Sequence, residues 1–464
     1  MRCKLAPYNR IKTMTPKWIG SRFFFRRTVN FSQPSGAWVL GGVLLGGVFS
    51  GLPVSFAAPE GSGLHSKLGS RSGSGLQIRV RIGDRLSGFN VRGYDLSIRS
   101  GKQTPFKFNQ TSQWNVTCHG NQVEFQPKFP GASGFQLTSP VLIQSPVGFL
   151  SFNDRPYREE FRIYSGSQGC DLVNVLDLEK YLDGLVNSEF SSEWNEEAIE
   201  AQVVAARTYA YFQMQQAQSV RGAYFDLDAT VKDQVYSGVI KESLRGSQAA
   251  EKTRGMILTS GAAGLKKNVI APIKAYYHST CGGWTELPER VWGKKSEGFK
   301  RQVSCPFCSS SPRYRWGLTL SGFELGDLIK KGAVHSPSPG LLLKEFPSGL
   351  EKAELLDLQV KEVSQTGRVE SLLSVWKVSH QVVSLLIPAV KLRDWIGTTR
   401  LRSTWFTLSE SRGFFKRQWR FEGRGNGHGV GLCQWGTKTM GEQGFKMASI
   451  LKYYYPDAEL KKLW

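Results

Sequence analysis

The stretch Val173–Ala210, V-N-V-L-D-L-E-K-Y-L-D-G-L-V-N-S-E-F-S-S-E-W-N-E-E-A-I-E-A-Q-V-V-A-A-R-T-Y-A, is where the periodicity of the chain changes and the fold class is decided. Asp177 to Val186 reads as a short helix running into Asn187-Ser188-Glu189-Phe190. Asn195 followed by Glu196 and Glu197 is a helix N-cap with acids in the first turn, where the helix dipole favours them. The helix it opens is rich in alanine and apolar at Ile199, Val203, Ala206 and Ala210. Small side chains on that face let another element approach closely.

On either side of this helical segment the period is two. From Leu76 to about Cys170, short alternating runs such as Q-I-R-V-R-I and N-Q-V-E-F are punctuated by Gly, Pro and Asn, the pattern of antiparallel strands. Alternation returns over 321–410, with a turn at Thr366-Gly367. A Gly-rich loop (422–436) and one helix from about Thr437 to Tyr454 close the chain. We therefore expect an α+β fold: an antiparallel β-rich body with a helical catalytic segment and Gly-rich cleft loops. Its parts are a β-rich segment at 76–170, the helical segment and cysteine loop at 171–320, and a second β-rich segment with the Gly-rich loop and final helix at 321–464.

With 464 residues, 40% apolar and 12% aromatic, the chain can bury a substantial core and is not of disordered composition. The net charge is +22. Residues 1–57 carry eight Lys/Arg and no acid, so the remainder is near +14. A field of that sign suits nucleic acid, anionic lipid or cell-wall polymer, and otherwise serves solubility. Location discriminates among them. A basic lead, Arg2 to Arg27, precedes an uncharged run from Thr28 to Pro59 that ends in S-F-A-A-P. That is the layout of a secretory signal, with small residues at Ser55, Ala57 and Ala58 for cleavage. An uncleaved N-terminal anchor is the alternative; no other segment is apolar enough to span a membrane. The expected location is the periplasm or cell wall, with membrane contact only through an uncleaved N-terminus. Export excludes the nucleic-acid reading, which fits the charge alone. Residues 58–75, Gly/Ser-rich, read as a flexible linker.

Three clusters can carry chemistry. Glu189 has apolar company at Leu185, Val186 and Phe190 and sits at a helix end; such a setting keeps a carboxylic acid protonated near neutral pH. Unaided, the residue would more often be a solvated surface acid. His278, Cys281, Cys305 and Cys308 form H-x-x-C and C-x-x-C knuckles able to give zinc four tetrahedral ligands. A disulfide among Cys281, Cys305 and Cys308 competes, although it strands one thiol and leaves His278 without a role. Cys118 and Cys170 could also bridge, which the sequence leaves open. The third cluster is R-G-N-G-H-G-V-G-L-C-Q-W-G, in which glycines let backbone approach a ligand while placing His428 and Gln434. No Lys-Ser/Thr follows, so it is not a phosphate-binding loop. His428 is either a contact to substrate or acid, or a structural histidine. Trp284, Trp292 and Trp435 either stack on sugar rings or fill the core.

The Val173–Ala210 stretch, together with A-Y-Y-H-S-T-C-G-G-W-T-E (275–286) and V-W-G after it, and G-R-G-N-G-H-G-V-G-L-C-Q-W-G with I-L-K-Y-Y-Y-P, resembles the SpoIID/LytB family in order and spacing. D-Q-V-Y-S-G (233–238), T-G-R-V (366–369) and L-R-S-T-W-F (401–406) are smaller matches, so the resemblance runs from about Leu76 to the C-terminus. It implies a lytic transglycosylase that cuts peptidoglycan glycan strands lacking stem peptides, with Glu189 as catalytic acid and no second carboxylate required. It also implies a structural zinc in some members, substrate contacts from His428 and Gln434, and a serine where Cys433 stands, so no cysteine nucleophile is inferred. Arg207, on an otherwise alanine-rich helix, and Gln234 and Tyr236, in a matching stretch, either line the cleft as substrate-binding residues or satisfy buried polar groups. A functional partnership with a cell-wall amidase follows from LytB-like relatives, and a non-catalytic amidase activator is the competing function.

Overall fold

The computed structural model describes residues 75–261, 271–334, 352–412 and 417–464. The expected export segment and nearly all of the linker lie outside them. Within them the chain is α+β, and no helix there is long and apolar enough to cross a membrane.

The alternating runs before Asp177 build two sheets. Seven strands lie in the order Leu227–Asp228, Gln77–Leu86, Gly169–Asp177, Glu160–Gly166, Val141–Gln144, Leu96–Ser100, Phe106–Phe108; six more pair as a second sheet around Phe89–Gly93 and Ser112–His119. Pairing is antiparallel except where Gln77–Leu86 meets Leu227–Asp228. Inward residues alternate as the sequence suggests: Ile78 and Val80 from one sheet and Trp114, Val116 and Phe125 from the other share one core. A Cys118–Cys170 disulfide ties a strand of each sheet, resolving the open question of their bridge.

The expected boundary at Cys170 falls inside a strand. Gly169–Asp177 is buried on both faces from Cys170 to Leu176, buried Asp171 and Asn174 included, so it shows no apolar–polar alternation. Helix α1 (Leu178–Glu189) begins directly after it, capped by Asp177, whose carboxylate accepts the backbone N–H groups of Glu179 and Lys180. Asn195 caps helix α2 (Glu196–Ser219) by accepting from the Glu197 N–H.

Helix α2 is buried on more than one side. Ile199, Val203, Ala206 and Ala210 pack into the sandwich core with Leu182, Leu185 and Val186 of α1. Ala201, Val204 and Ala205 enter a second core with Leu258, Ile273, Val430, Leu432 and Leu451. The alanines expected to admit a neighbour therefore admit two. A third core joins Leu320 to Phe421, built from two three-stranded sheets and the helices Gly322–Val334 and Ala389–Ile396. The turn at Thr366-Gly367 separates strands Glu354–Val363 and Val369–Val378, with Gly367 at φ +86°. At the C-terminus two helices, Gln434–Glu442 and Met447–Tyr454, replace the single one expected. The break holds Gly444 at φ +85°, a left-handed conformation that ends a helix.

Between α1 and α2 the fold buries a charge pair. Arg207, fully inaccessible, donates to both oxygens of Glu179 at 2.6 to 3.2 Å, and to Ala250 O, Met256 O and Thr253 Oγ1. Removing one partner of a buried pair strands the other charge, at about 3–5 kcal/mol. Glu179→Gln should therefore lower the unfolding free energy by about that amount, whereas Glu179→Gln with Arg207→Met should recover part of it. Urea denaturation of both single variants and the double variant checks this; a double loss equal to the sum of the two single losses would show that the pair is not coupled.

Candidate active site

Glu189 is the last residue of α1, and Phe190 closes the helix by donating its N–H to Val186 O. The carboxylate turns toward the segment 233–236, where the Val235 N–H donates to its Oε1 at 2.5 Å. Gly184, one turn back on α1, makes this approach feasible. A Cβ there would lie 2.8 Å from Gly238 O and 2.8 Å from the Tyr236 ring.

Burial pushes the Glu189 pKa up from 4.5 to about 7, against the Val235 hydrogen bond, which pulls it down. Its place at a helix C-terminus, the negative end of the dipole, disfavours the anion further. Around it open Asn187, Ser188, Phe190, Ser191, Ile240 and Lys241, which line a groove of about 540 Å³ and include no second carboxylate. Neighbouring acids differ. Glu193 is exposed; Lys252 lowers the pKa of Glu196; Glu197 is also lowered, because the Met447 N–H and Lys446 outweigh its burial. Asp183, not singled out by the sequence, is pushed up to about 6 by burial, but it lines a different cavity with Asp177, Glu179 and Ser247.

The wall behind Glu189 is a hydrogen-bonded aromatic layer. Gln234 accepts from Tyr181 Oη at 2.9 Å and donates to Ala206 O and Tyr277 Oη at 3.2 and 3.0 Å. Burial, then the Glu189 charge, holds the phenols of Tyr181 and Tyr277 well above 10.0, so they stay neutral. Tyr236 donates to Asn174 Oδ1 at 3.1 Å. Of the two readings of Arg207, Gln234 and Tyr236, the structure shows the second: they are buried, with polar groups bonded to protein. They sit behind the site, where they set the position of the groups in front. Tyr181 and Tyr277 escaped the sequence reading because tyrosine on a helix or strand is equally a core residue.

The Gly-rich loop lies beside this wall. His428 Nδ1 accepts the Val430 N–H at 3.0 Å, and its ring lies 5.1 Å from Trp292 and 5.4 Å from His278. Burial, then His278, drives its pKa well below 6.5, so it is neutral. Gln434 is buried at the start of its helix. Trp435 stacks edge-on with Trp194, which meets Phe190, extending an aromatic ridge from the residue next to Glu189. Trp284 and Trp292 are 43% and 44% exposed, so part of each indole is accessible.

The expected ligand set of His278 with three cysteines is corrected. The sulfurs of Cys281, Cys305, Cys308 and Cys433 lie within 4.8 Å of one another, all buried and none in a disulfide. The strands Tyr277–His278 and Leu432–Cys433 pair in parallel with His278 opposite Cys433, and it is Cys433 that turns into the cluster. His278 Nδ1 instead faces Val430 O at 3.0 Å, and its Nε2 has no partner. The H-x-x-C spacing misled because a side chain's direction on a strand follows register, not sequence proximity.

Comparison with known proteins comes to the same region. Residues 166–260, which hold α1, α2, Glu189 and the 233–236 wall, match the family described as Stage II sporulation protein. Residues 307–431, most of the third core, match a domain of unknown function, DUF8618. The chain is 26% identical over 85% of its length to a protein named amidase enhancer from Bacillus subtilis strain 168, of which it spans about half (53%). It is 25% identical over 77% of its length to the stage II sporulation protein D of the same organism, covering 90% of that chain. Against stage II sporulation protein D of Bacillus amyloliquefaciens the identity is 28%, over 62% of this chain and 76% of the other.

The raised pKa of Glu189 has a measurable consequence for stability. An acid whose folded pKa exceeds its unfolded one favours folding when protonated, and that stability is lost as pH rises from 4.5 through about 7. Glu189→Gln removes the ionisation. The variant should match the wild type near pH 4 and exceed it above pH 7, by up to about 3 kcal/mol. Melting curves across this range check it; an advantage that does not change with pH would contradict the assignment.

Proposed function

Because this chain belongs to the SpoIID/LytB family, we propose that it is a peptidoglycan lytic transglycosylase acting on glycan strands that lack stem peptides. One observation carries the reading: a single carboxyl group with a pKa near neutrality stands in an open groove with no second carboxylate among its described lining residues. Hydrolytic glycosidases generally use a pair. A transglycosylase needs one group, because its nucleophile belongs to the substrate.

In this mechanism protonated Glu189 gives its proton to the glycosidic oxygen as the bond from muramyl C1 to that oxygen breaks. The resulting carboxylate accepts the proton of the muramyl 6-hydroxyl while O6 bonds to C1. The products are a 1,6-anhydro-muramyl end and a free 4-hydroxyl on the neighbouring sugar, without net consumption of water. The Val235 N–H steadies the carboxylate between the two proton transfers, while the Tyr181–Gln234–Tyr277 layer fixes the wall against which it stands. A non-catalytic activator of an N-acetylmuramoyl-L-alanine amidase is the second reading, favoured by the name of the amidase enhancer it resembles. Export to the periplasm or cell wall, and a partnership with such an amidase, belong to both.

The cysteine cluster suits a closed zinc site. Four thiolates this close repel one another without a cation, and backbone N–H groups of Cys281 and Gly283 already point at the sulfurs of Cys433 and Cys281. Cys281, Cys305, Cys308 and Cys433 would hold the ion, whose role would be to pin the loops and not to enter the reaction.

Incubation of the mature protein with peptide-free glycan strands, followed by mass analysis, tests the activity. Anhydro-muramyl ends are expected, and Glu189→Gln should lower the rate by at least about 10²–10⁴-fold while strand binding survives. Reducing ends, or no cleavage, would overturn the reading, and the second result would move it to the activator.

Elemental analysis tests the metal. Purification without chelator should give about one zinc per chain, lost in Cys433→Ser and kept in His278→Gln. The opposite pattern would restore His278 as the fourth ligand.

A further inference from the structure

Lys274 is a cation held without an anion. Its ammonium stands 5.3 Å from the ring centroid of Tyr209, 5.9 Å from Phe212 and 5.3 Å from Tyr276, distances of cation–π attraction. Among the described residues no carboxylate forms a salt bridge with it. The carboxylate whose charge acts on it is Asp233, already taken by Tyr209 Oη and Gln213 Nε2 at 2.8 Å each and by the Asp228 N–H at 2.9 Å. Burial draws the Lys274 pKa down from 10.5, with Asp233 opposing. A half-buried charge in this state gains from an incoming anion more than an exposed lysine would.

The cage also has a platform. Tyr276 stacks on Trp292 at 4.6 Å with an interplanar angle of 23°, and Trp292 is 44% exposed. An indole lying on a second ring, with its surface partly open, is a seat for the apolar face of a pyranose. One short segment links the cage to Glu189: Asp233 accepts from Tyr209 of the cage, the Val235 N–H two residues on donates to Glu189, and the Glu189 charge acts on Tyr209.

We propose that Lys274, on its cage of Tyr209, Phe212 and Tyr276, binds the free lactyl carboxylate of a peptide-stripped muramyl residue, while Trp292 carries an adjoining sugar ring. This rests on the glycan-cleaving reading above and adds the group that distinguishes stripped from unstripped strands. The stem peptide is joined to that carboxyl as an amide, which is neutral. Its removal by amide hydrolysis leaves an anion at the same place. A lysine already desolvated by aromatic rings distinguishes the two by charge.

Binding, not turnover, tests the proposal, so that its failure is separate from failure of the transglycosylase reading. Two probes are used with the Glu189→Gln protein in calorimetry: peptide-free muramyl–glucosaminyl oligomers, and the same oligomers with lactyl carboxylates converted to methylamides. The carboxylate form should bind about 10- to 100-fold tighter, as expected for a charge-assisted contact. Adding Lys274→Met should remove that preference and leave methylamide binding unchanged; adding Lys274→Arg should retain most of it. Equal binding of both oligomers, no binding of either, or a preference that persists in the Lys274→Met protein would overturn the proposal. Absence of cleavage by the wild type, with the preference intact, would sink the transglycosylase reading alone.

Discussion

The ion pair of Arg207 and Glu179 is the constraint on which the site depends. Helix α2 lies between two cores, so Ala198–Ala210 is buried nearly all round and can hold a charge only if that charge is neutralised inside. Glu179 does this from the first turn of α1. The pair therefore does more than link two helices: it fixes the rotation of α1 about its own axis. Ten residues on, that rotation decides where the last side chain of α1 points. Small residues let α2 be approached from both sides, and the buried pair sets how α1 is turned when it arrives.

Glu189 is poised by opposing effects, of which burial is the larger. Burial and the helix C-terminus favour the neutral acid, while one backbone N–H favours the anion. Several such donors would hold a carboxylate ionised and leave no proton to give. Without any donor, the anion left after proton transfer would be costly. The surrounding phenols remain neutral, so they neither neutralise the acid nor repel it strongly.

Much of this was legible from residue types alone. The cap Asn195, the helix opening at Asp177, the alternating strands, and an acid set among Leu185, Val186 and Phe190 are local features, and local physics places them. What escaped depends on partners distant in sequence. Gly169–Asp177 shows no alternation because elements from both sides cover it. Arg207 and Gln234 read equally as cleft residues or as buried polar groups; only the fold shows that Glu179 and the tyrosine layer occupy them. Cys433 is 125 residues from Cys308 and enters the cluster through strand pairing with Tyr277–His278. Lys274 carried no motif at all, since its meaning lies in two rings of helix α2 and one from its own segment.

The remaining question is how two Gly-rich loops hold a site steady. They cross-brace each other through the bridges Thr280–Asn426 and Glu286–Val430. Arg368, from the third core, is inserted over them, donating to Cys281 O at 2.6 Å. Gly429 makes room for it: a Cβ there would lie 2.5 Å from the guanidinium. Arg368 is fully buried, yet its Nε and Nη1 have no hydrogen-bond partner, so its charge is balanced chiefly through space, by the sulfurs of the cluster and by Glu286. Glu286 in turn accepts from Ser364, Thr366 and Gln302. The T-G-R-V turn thus supplies both a cation beside the sulfurs and hydroxyls for the acid opposite. The segment matching the domain of unknown function thus packs its buried cation against the loop that carries His428, at Gly429, and against the cysteine loop, at Cys281.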